Sequence, residues 1–210
     1  MKKVSIATAA FLLAGTALAA GFGFQASGTQ AAAARANEAT TYEVDPVHSV
    51  VIFRIEHMGV ANYYGRFNDF SGEIEWDENN PAGSRIEITI EAESIDTNNE
   101  NRDSHLRSPD FFNVREFPEI NFTSTNIEVS GDNTYRVTGE LDLHGVTREI
   151  TVDLEKTGSG THLQSGKPLI GFETHFELDR SDYRMRWGIE EGVLGDEVGL
   201  IVSLEAIDNG

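Results

Sequence analysis

The chain has 210 residues, with 35 Asp and Glu against 16 Lys and Arg, a formal net charge of −19 at pH 7, and no cysteine. Charge of that sign repels phosphate backbones and anionic lipid headgroups, which excludes nucleic-acid binding as a function class. Without cysteine there is no disulfide, no lipid-modified N-terminal Cys and no thiolate metal site, so the fold must rest on its own core.

The first segment reads as an export signal. Lys2 and Lys3 are followed by an apolar, Ala-rich stretch to about Phe24. Small residues then continue to Ala34-Arg35-Ala36, an A-x-A pattern that places cleavage before Asn37. Ala17-Leu18-Ala19 is an earlier cleavage candidate. The alternative is an uncleaved anchor, since the apolar stretch is long enough to span a bilayer, although so much Ala makes a weak one. Residues 1–36 are therefore expected to be an export segment and residues 37–210 one domain with its own core. Removing Lys2, Lys3 and Arg35, with no acid, takes the net charge from −19 to −22.

From Tyr42 onward the dominant period is two. Val51, Phe53 and Ile55 mark a first strand. Residues 85–92 alternate without a fault, Ile86, Ile88, Ile90 and Ala92 on one face and charge or hydroxyl on the other. Residues 134–143 repeat the pattern through Tyr135, Val137, Leu141 and Leu143, and residues 146–155 through Ile150, Val152 and Leu154. Phe172, Thr174, Phe176 and Leu178 mark another strand, and Val198 to Ala206 the last. Turn chemistry separates them at Asn79-Asn80-Pro81, Gly131-Asp132-Asn133, His144-Gly145 and Thr157-Gly158-Ser159-Gly160. The pattern predicts an all-β fold of about eight antiparallel strands, most of them apolar on one side only. Closing such a sheet into a barrel hides the apolar face and removes free edges; a two-sheet sandwich is the rival that periodicity leaves open.

One stretch between strands is different. Asn101-Arg102-Asp103-Ser104-His105-Leu106-Arg107-Ser108-Pro109-Asp110-Phe111-Phe112 combines charge, a histidine and paired aromatics. Residues 98–106 are helix-compatible, and Ser108-Pro109 predicts a further first helical turn. A connection so long and aromatic covers or lines something.

The residues in order now resemble a known family. Tyr42-Glu43-Val44-Asp45 with His48-Ser49, His57-Met58-Gly59, Gly65-Arg66-Phe67 and Phe70-Ser71-Gly72 are similar to the opening of the YceI-like family of exported bacterial proteins. Ser94-Ile95-Asp96-Thr97 and the 102–112 motif resemble its most distinctive stretch. Gly139-Glu140-Leu141 with His144-Gly145-Val146-Thr147, Arg180-Ser181-Asp182-Tyr183 and Gly195-Asp196-Glu197-Val198 complete the series, from about Tyr42 to Ala206. The resemblance implies a lipocalin-like antiparallel barrel with a short helical segment, periplasmic or secreted. It also implies a cavity that takes a polyisoprenoid chain, an isoprenoid quinone or a related amphiphilic lipid, as ligand and not as cofactor. A membrane electron-transport partner is a further expectation, and Ile201 and Ile207, on the outward parity of the last strand, leave a homodimer open.

The expected wall and mouth of that cavity are Phe53, Ile55, His57, Phe67, Phe70, Ile88, Arg102, His105, Phe111, Phe112, Phe122, Leu141, Leu143, Phe172 and Phe176. The same residue types build an ordinary core, so wall and core are not separable by type. Arg102, His105 and Arg107 are read either as headgroup contacts or as fasteners of the loop to the rim through Asp103 or Asp110; Arg180, Ser181 and Asp182 carry the same two readings. No H-x-x-x-H or comparable spacing points to a metal site. There is no G-x-S-x-G elbow, and His48 and Ser49, adjacent on a strand, face opposite ways, so no catalytic residues are assigned. The expectation is a non-enzymatic lipid-binding protein of the cell envelope. The alternative is a self-filled barrel acting through its outer surface as an interaction or stress-protective protein.

Overall fold

The structure is a computed structural model that describes residues 39–210; the expected export segment lies outside the described residues. Eleven strand segments are present: β1 Thr40–Val44, β2 Val50–His57, β3 Ala61–Phe67, β4 Phe70–Trp76, β5 Arg85–Glu91, β6 Ile95–Asp96, β7 Glu119–Gly131, β8 Thr134–Leu143, β9 Val146–Thr161, β10 Pro168–Asp179 and β11 Leu194–Asp208. A helix, α1 Glu100–Leu106, sits between β6 and β7. Every strand pair is antiparallel.

Three pairs of segments are halves of single bent strands. β1 and β2 share the same neighbour, β11, with Tyr42 opposite Asp208 and Phe53 opposite Leu200. They also share the β3/β4 strand, β2 against β3 and β1 against β4. β5 and β6 likewise follow β4 and β3. The result is eight long strands in plain chain order, closed by the pairing of β11 with β1 and β2. Closure decides between barrel and sandwich.

Local chemistry sets the turns. The β8–β9 hairpin has the two-residue connection His144-Gly145, both with positive φ (+54° and +67°), the primed geometry whose twist suits a tight hairpin. His144 holds that strained conformation while its Nδ1 lies 2.9 Å from the Tyr183 carbonyl.

Inward residues fill one end of the barrel and leave the other hollow. At the filled end Trp76 meets Tyr135 and Phe172 edge-on, with ring centroids 4.8 and 4.7 Å away. Ile74, Ile127, Val137, Ile170 and Ala206 are fully buried around them. Phe122 lies over Gly139 and Ile88 over Gly72, so side chains there pack onto bare backbone across the strand pair. At the other end the inward residues of β2, β10 and β11, including Phe53, Ile55, Phe176, Leu178, Leu200 and Val202, are apolar yet half-buried. They face an internal space.

Candidate ligand-binding site

The internal space is a cavity of about 330 Å³. It follows β2 from Val51 to His57, a depth of about 20 Å at the usual rise per strand residue. Its floor is Val51, Phe67, Ile120 and Leu141. Its wall continues through Phe53, Ile55, Phe176, Leu178, Val198, Leu200 and Val202. α1 and the loop after it close one side with Leu106, Phe111 and Phe112. A volume of this size falls at the lower end of ordinary small-ligand sites.

α1 has seven residues, too few to be stable alone, so neighbouring contacts hold it in place. The Asn99 side chain caps it by accepting from the Arg102 backbone N–H at 3.0 Å. Asp103, buried, accepts from the Thr97 backbone N–H at 2.9 Å and from its hydroxyl. Arg102 donates from Nε to Thr97 Oγ1 (2.7 Å) and from Nη2 to Thr97 O (2.8 Å), and its guanidinium lies 3.8 Å from the Tyr63 ring centroid. Arg107 donates to the carbonyls of Glu93 (2.7 Å) and Ile95 (2.9 Å). The arginines thus fasten the loop to the barrel through backbone carbonyls and Thr97, not through direct pairs with Asp103 or Asp110. Residues 108–112 form turns and not a second helix, with Ser108 Oγ accepting from the Asp110 N–H at 3.3 Å.

A buried arginine orders the opposite side of the mouth. Arg180 is 3 % exposed and donates to the carbonyls of Gly195 (2.8 Å), Met185 (3.0 Å), Trp187 (2.9 Å) and Leu194 (3.4 Å). It therefore clamps the 184–194 loop, where Arg184, Gly188 and Gly192 adopt positive φ. Burial pushes its guanidinium down from the ordinary value, with Asp196 acting in the opposite direction. Asp196 is itself held by the Ser181 N–H and Oγ at 2.9 and 2.7 Å. Trp187 packs on His105 and Phe111, with centroids 4.9 and 5.4 Å apart, joining the two loops.

Of the sequence-predicted residues, Phe53, Ile55, His57, Phe67, Arg102, Phe111, Phe112, Leu141, Leu143 and Phe176 line the cavity. Phe70, Ile88, Phe122 and Phe172 pack in the barrel away from it. His105 stands behind Phe111, its Nε2 2.9 Å from Asp110. Sequence reasoning missed Tyr63, Thr97, Ile90, Leu106 and Met185 as lining residues, along with deeper wall positions such as Ile120, Leu200 and Val202, whereas Arg180, read there as either headgroup contact or fastener, lines the cavity. Ile90 had the signal, sharing the parity of Ile86 and Ile88. Met185 had none, because it enters from a loop.

The histidines other than His57 stand apart from the cavity. His48 Nδ1 lies 2.7 Å from Asp45 and 3.6 Å from Glu205, and the ligand atoms of the three lie within 4.8 Å of one another. Sequence spacing did not announce this cluster. Ser49 turns away from it and bonds the Glu205 backbone.

An up-and-down barrel packed at one end and hollow and apolar at the other defines a class: closed barrels whose lumen has room for one small ligand. Residues 42–206 match the YceI-like domain, and the chain belongs to the YceI-like family. Protein YceI of Shigella flexneri and of Salmonella arizonae are each 39% identical over 171 residues, covering 80% of this chain and 87% of theirs. The crystal structure of Campylobacter jejuni YceI superposes with a TM-score of 0.66 at 29% identity, over 74% of this chain and 90% of that one. BcnA of Burkholderia cenocepacia (TM-score 0.69, 23% identity, 77% and 98% covered) shares the fold. So does a domain from Saccharophagus degradans described as polyisoprenoid-binding (0.64, 21%, 80% and 99%).

Proposed function

We propose that this protein binds a long-chain isoprenoid or isoprenoid-quinone lipid in the hollow half of its barrel, without chemistry, in the bacterial cell envelope after export. The observation that carries the reading is the set of apolar inward side chains left half-buried around a cavity of about 330 Å³. A barrel that served only as scaffold gains by filling that space, since voids forfeit packing. Membership of the YceI-like family and the description of the Saccharophagus degradans domain support the same reading. The hollow end also favours it over the self-filled alternative. At about 0.8 kcal/mol for each buried CH₂, a chain of a few isoprene units supplies ample affinity.

The test is to fill the cavity from two directions, with Leu141→Trp at its floor and Leu200→Trp on its wall. Each variant is expected to remain folded by circular dichroism and to lose most of the lipid that extracts with the wild-type protein. Normal lipid content in both folded variants would place the ligand elsewhere.

A further inference from the structure

The polar residues of the cavity are unevenly chosen. The chain carries more than two acids for every Lys or Arg, yet the charged side chains lining the cavity are Arg102 and Arg180, joined by His57, and no Asp or Glu lines it. All three sit at one end. His57 is opposite Leu194 across the β2–β11 pair, and Arg180 Nη2 donates to the Leu194 carbonyl. Two residues deeper, Ile55 is opposite Tyr63, on whose ring Arg102 stacks. The deeper wall is aliphatic and aromatic. The space therefore has the polarity of a single-tailed amphiphile, polar at the mouth and apolar below.

The polar end offers donors. Arg180 directs hydrogen bonds from Nε, Nη1 and Nη2 to four carbonyls, which leaves one guanidinium N–H; no carboxylate lies within ion-pair distance of it among the described residues. Arg102 spends two N–H groups on Thr97 and keeps three, two of them on Nη1; Asp103 accepts from the same Thr97 hydroxyl and makes no direct ion pair with it. The His57 ring has no hydrogen-bond partner among the described residues. Arg180, 3 % exposed, feels the Asp196 carboxylate only from beyond ion-pair distance, and a cation so buried gains from an incoming anion, because charge-assisted bonds strengthen where water is excluded.

We infer that the cavity selects an apolar chain ending in an anionic oxyacid head, a phosphate monoester or a carboxylate, over the same chain ending in an alcohol or an amine. The inference rests on the lipid reading above and names the head that reading leaves open. An amine head would meet two guanidinium groups and no acid. An alcohol would take one donor and leave the charge unanswered.

The experiment is competition of four ligands with one chain against a displaceable fluorescent lipid, on the delipidated full-length protein: farnesyl phosphate, farnesoic acid, farnesol and farnesylamine. At least one acid is expected to bind about tenfold or more tighter than farnesol, with farnesylamine weakest, and the better of the two acids identifies the head. Arg102→Gln, at a half-exposed position that also ties α1 to Thr97, is expected to weaken all four ligands somewhat but the acids several-fold more than farnesol, so that most of the preference is lost. Farnesol binding as tightly as both acids, or a preference untouched by Arg102→Gln, would overturn the head assignment and leave lipid binding intact. Failure of all four ligands to displace the reporter would remove both.

Discussion

At the scale of single residues, two glycines show how differently the two halves of the barrel respond to added bulk. A Cβ on Gly65 would lie 2.3 Å from Phe53 Cζ and 2.8 Å from Thr97 Cγ2, both side-chain atoms of residues that border open cavity and so have room to shift. A Cβ on Gly139 would lie 2.5 Å from Phe122 Cζ and 2.6 Å from the Thr123 carbonyl oxygen, which is backbone and cannot yield. Gly139→Ala is expected to destabilise by about 1–3 kcal/mol and Gly65→Ala by clearly less, in chemical denaturation. Equal losses would mean that the hollow end is as tightly packed as the filled one. The Asp45–His48 pair gives a pH prediction. The hydrogen bond from His48 to Asp45 raises the histidine above its ordinary 6.5, helped by the charges of Asp45 and Glu205 against desolvation. Its stabilising contribution is therefore complete below 6.5 and lost as pH rises through the higher folded-state value. Burial raises the Asp45 carboxyl, but bonds from His48 and the Val47 N–H outweigh this and hold it below 3.8, so its share fades only as pH falls through that lower value. Melting temperature is expected to decline from pH 6.5 into the mildly alkaline range in the wild type and to be flatter in His48→Gln. Parallel profiles would show that the pair carries no stability.

The elements were legible where side-chain parity was strict. β5, β8 and the first half of β9 alternate cleanly, and the structure places Ile86, Ile88, Val137, Leu141 and Val152 inward as that alternation requires. The bent strands were harder to read, because β3 spends an inward position on Gly65 and pairs with β6 over two residues only, Arg66 with Asp96 and Phe67 with Ile95. The 108–112 turn, expected as helical, stops because the Phe112 N–H returns to the Leu106 carbonyl and the Asn113 N–H to the Ser108 carbonyl, folding the chain back onto α1. The loop arginines were legible as rim chemistry, but their partners were not, since backbone carbonyls leave no mark in a sequence. Arg107 ties this loop to β6 and to the turn before it. Arg107→Met is expected to cost about 1–3 kcal/mol through its two charge-assisted bonds. Amide exchange should accelerate in residues 107–118 more than in β8. Uniform acceleration across the barrel would argue that the loop is not a separate unit.

At the scale of the molecule, the barrel is one continuous antiparallel ring whose two ends do different things. The Trp76 end has fully buried side chains and supplies stability. The α1 end keeps apolar surface uncovered, roofed by Phe111, Phe112 and Met185, with two arginines fixing the loops beside it. Which half would be hollow was not legible, because the same Ile, Leu, Val and Phe serve both ends; the distinction is one of volume between strands, and periodicity carries none. The strong negative charge lies outside the cavity lining altogether. Native mass spectrometry of the protein, followed by organic extraction, tests the central claim most directly. The account predicts one added mass per chain that extracts as a long-chain isoprenoid lipid. A bare polypeptide mass, unchanged after incubation with such lipids, would contradict it.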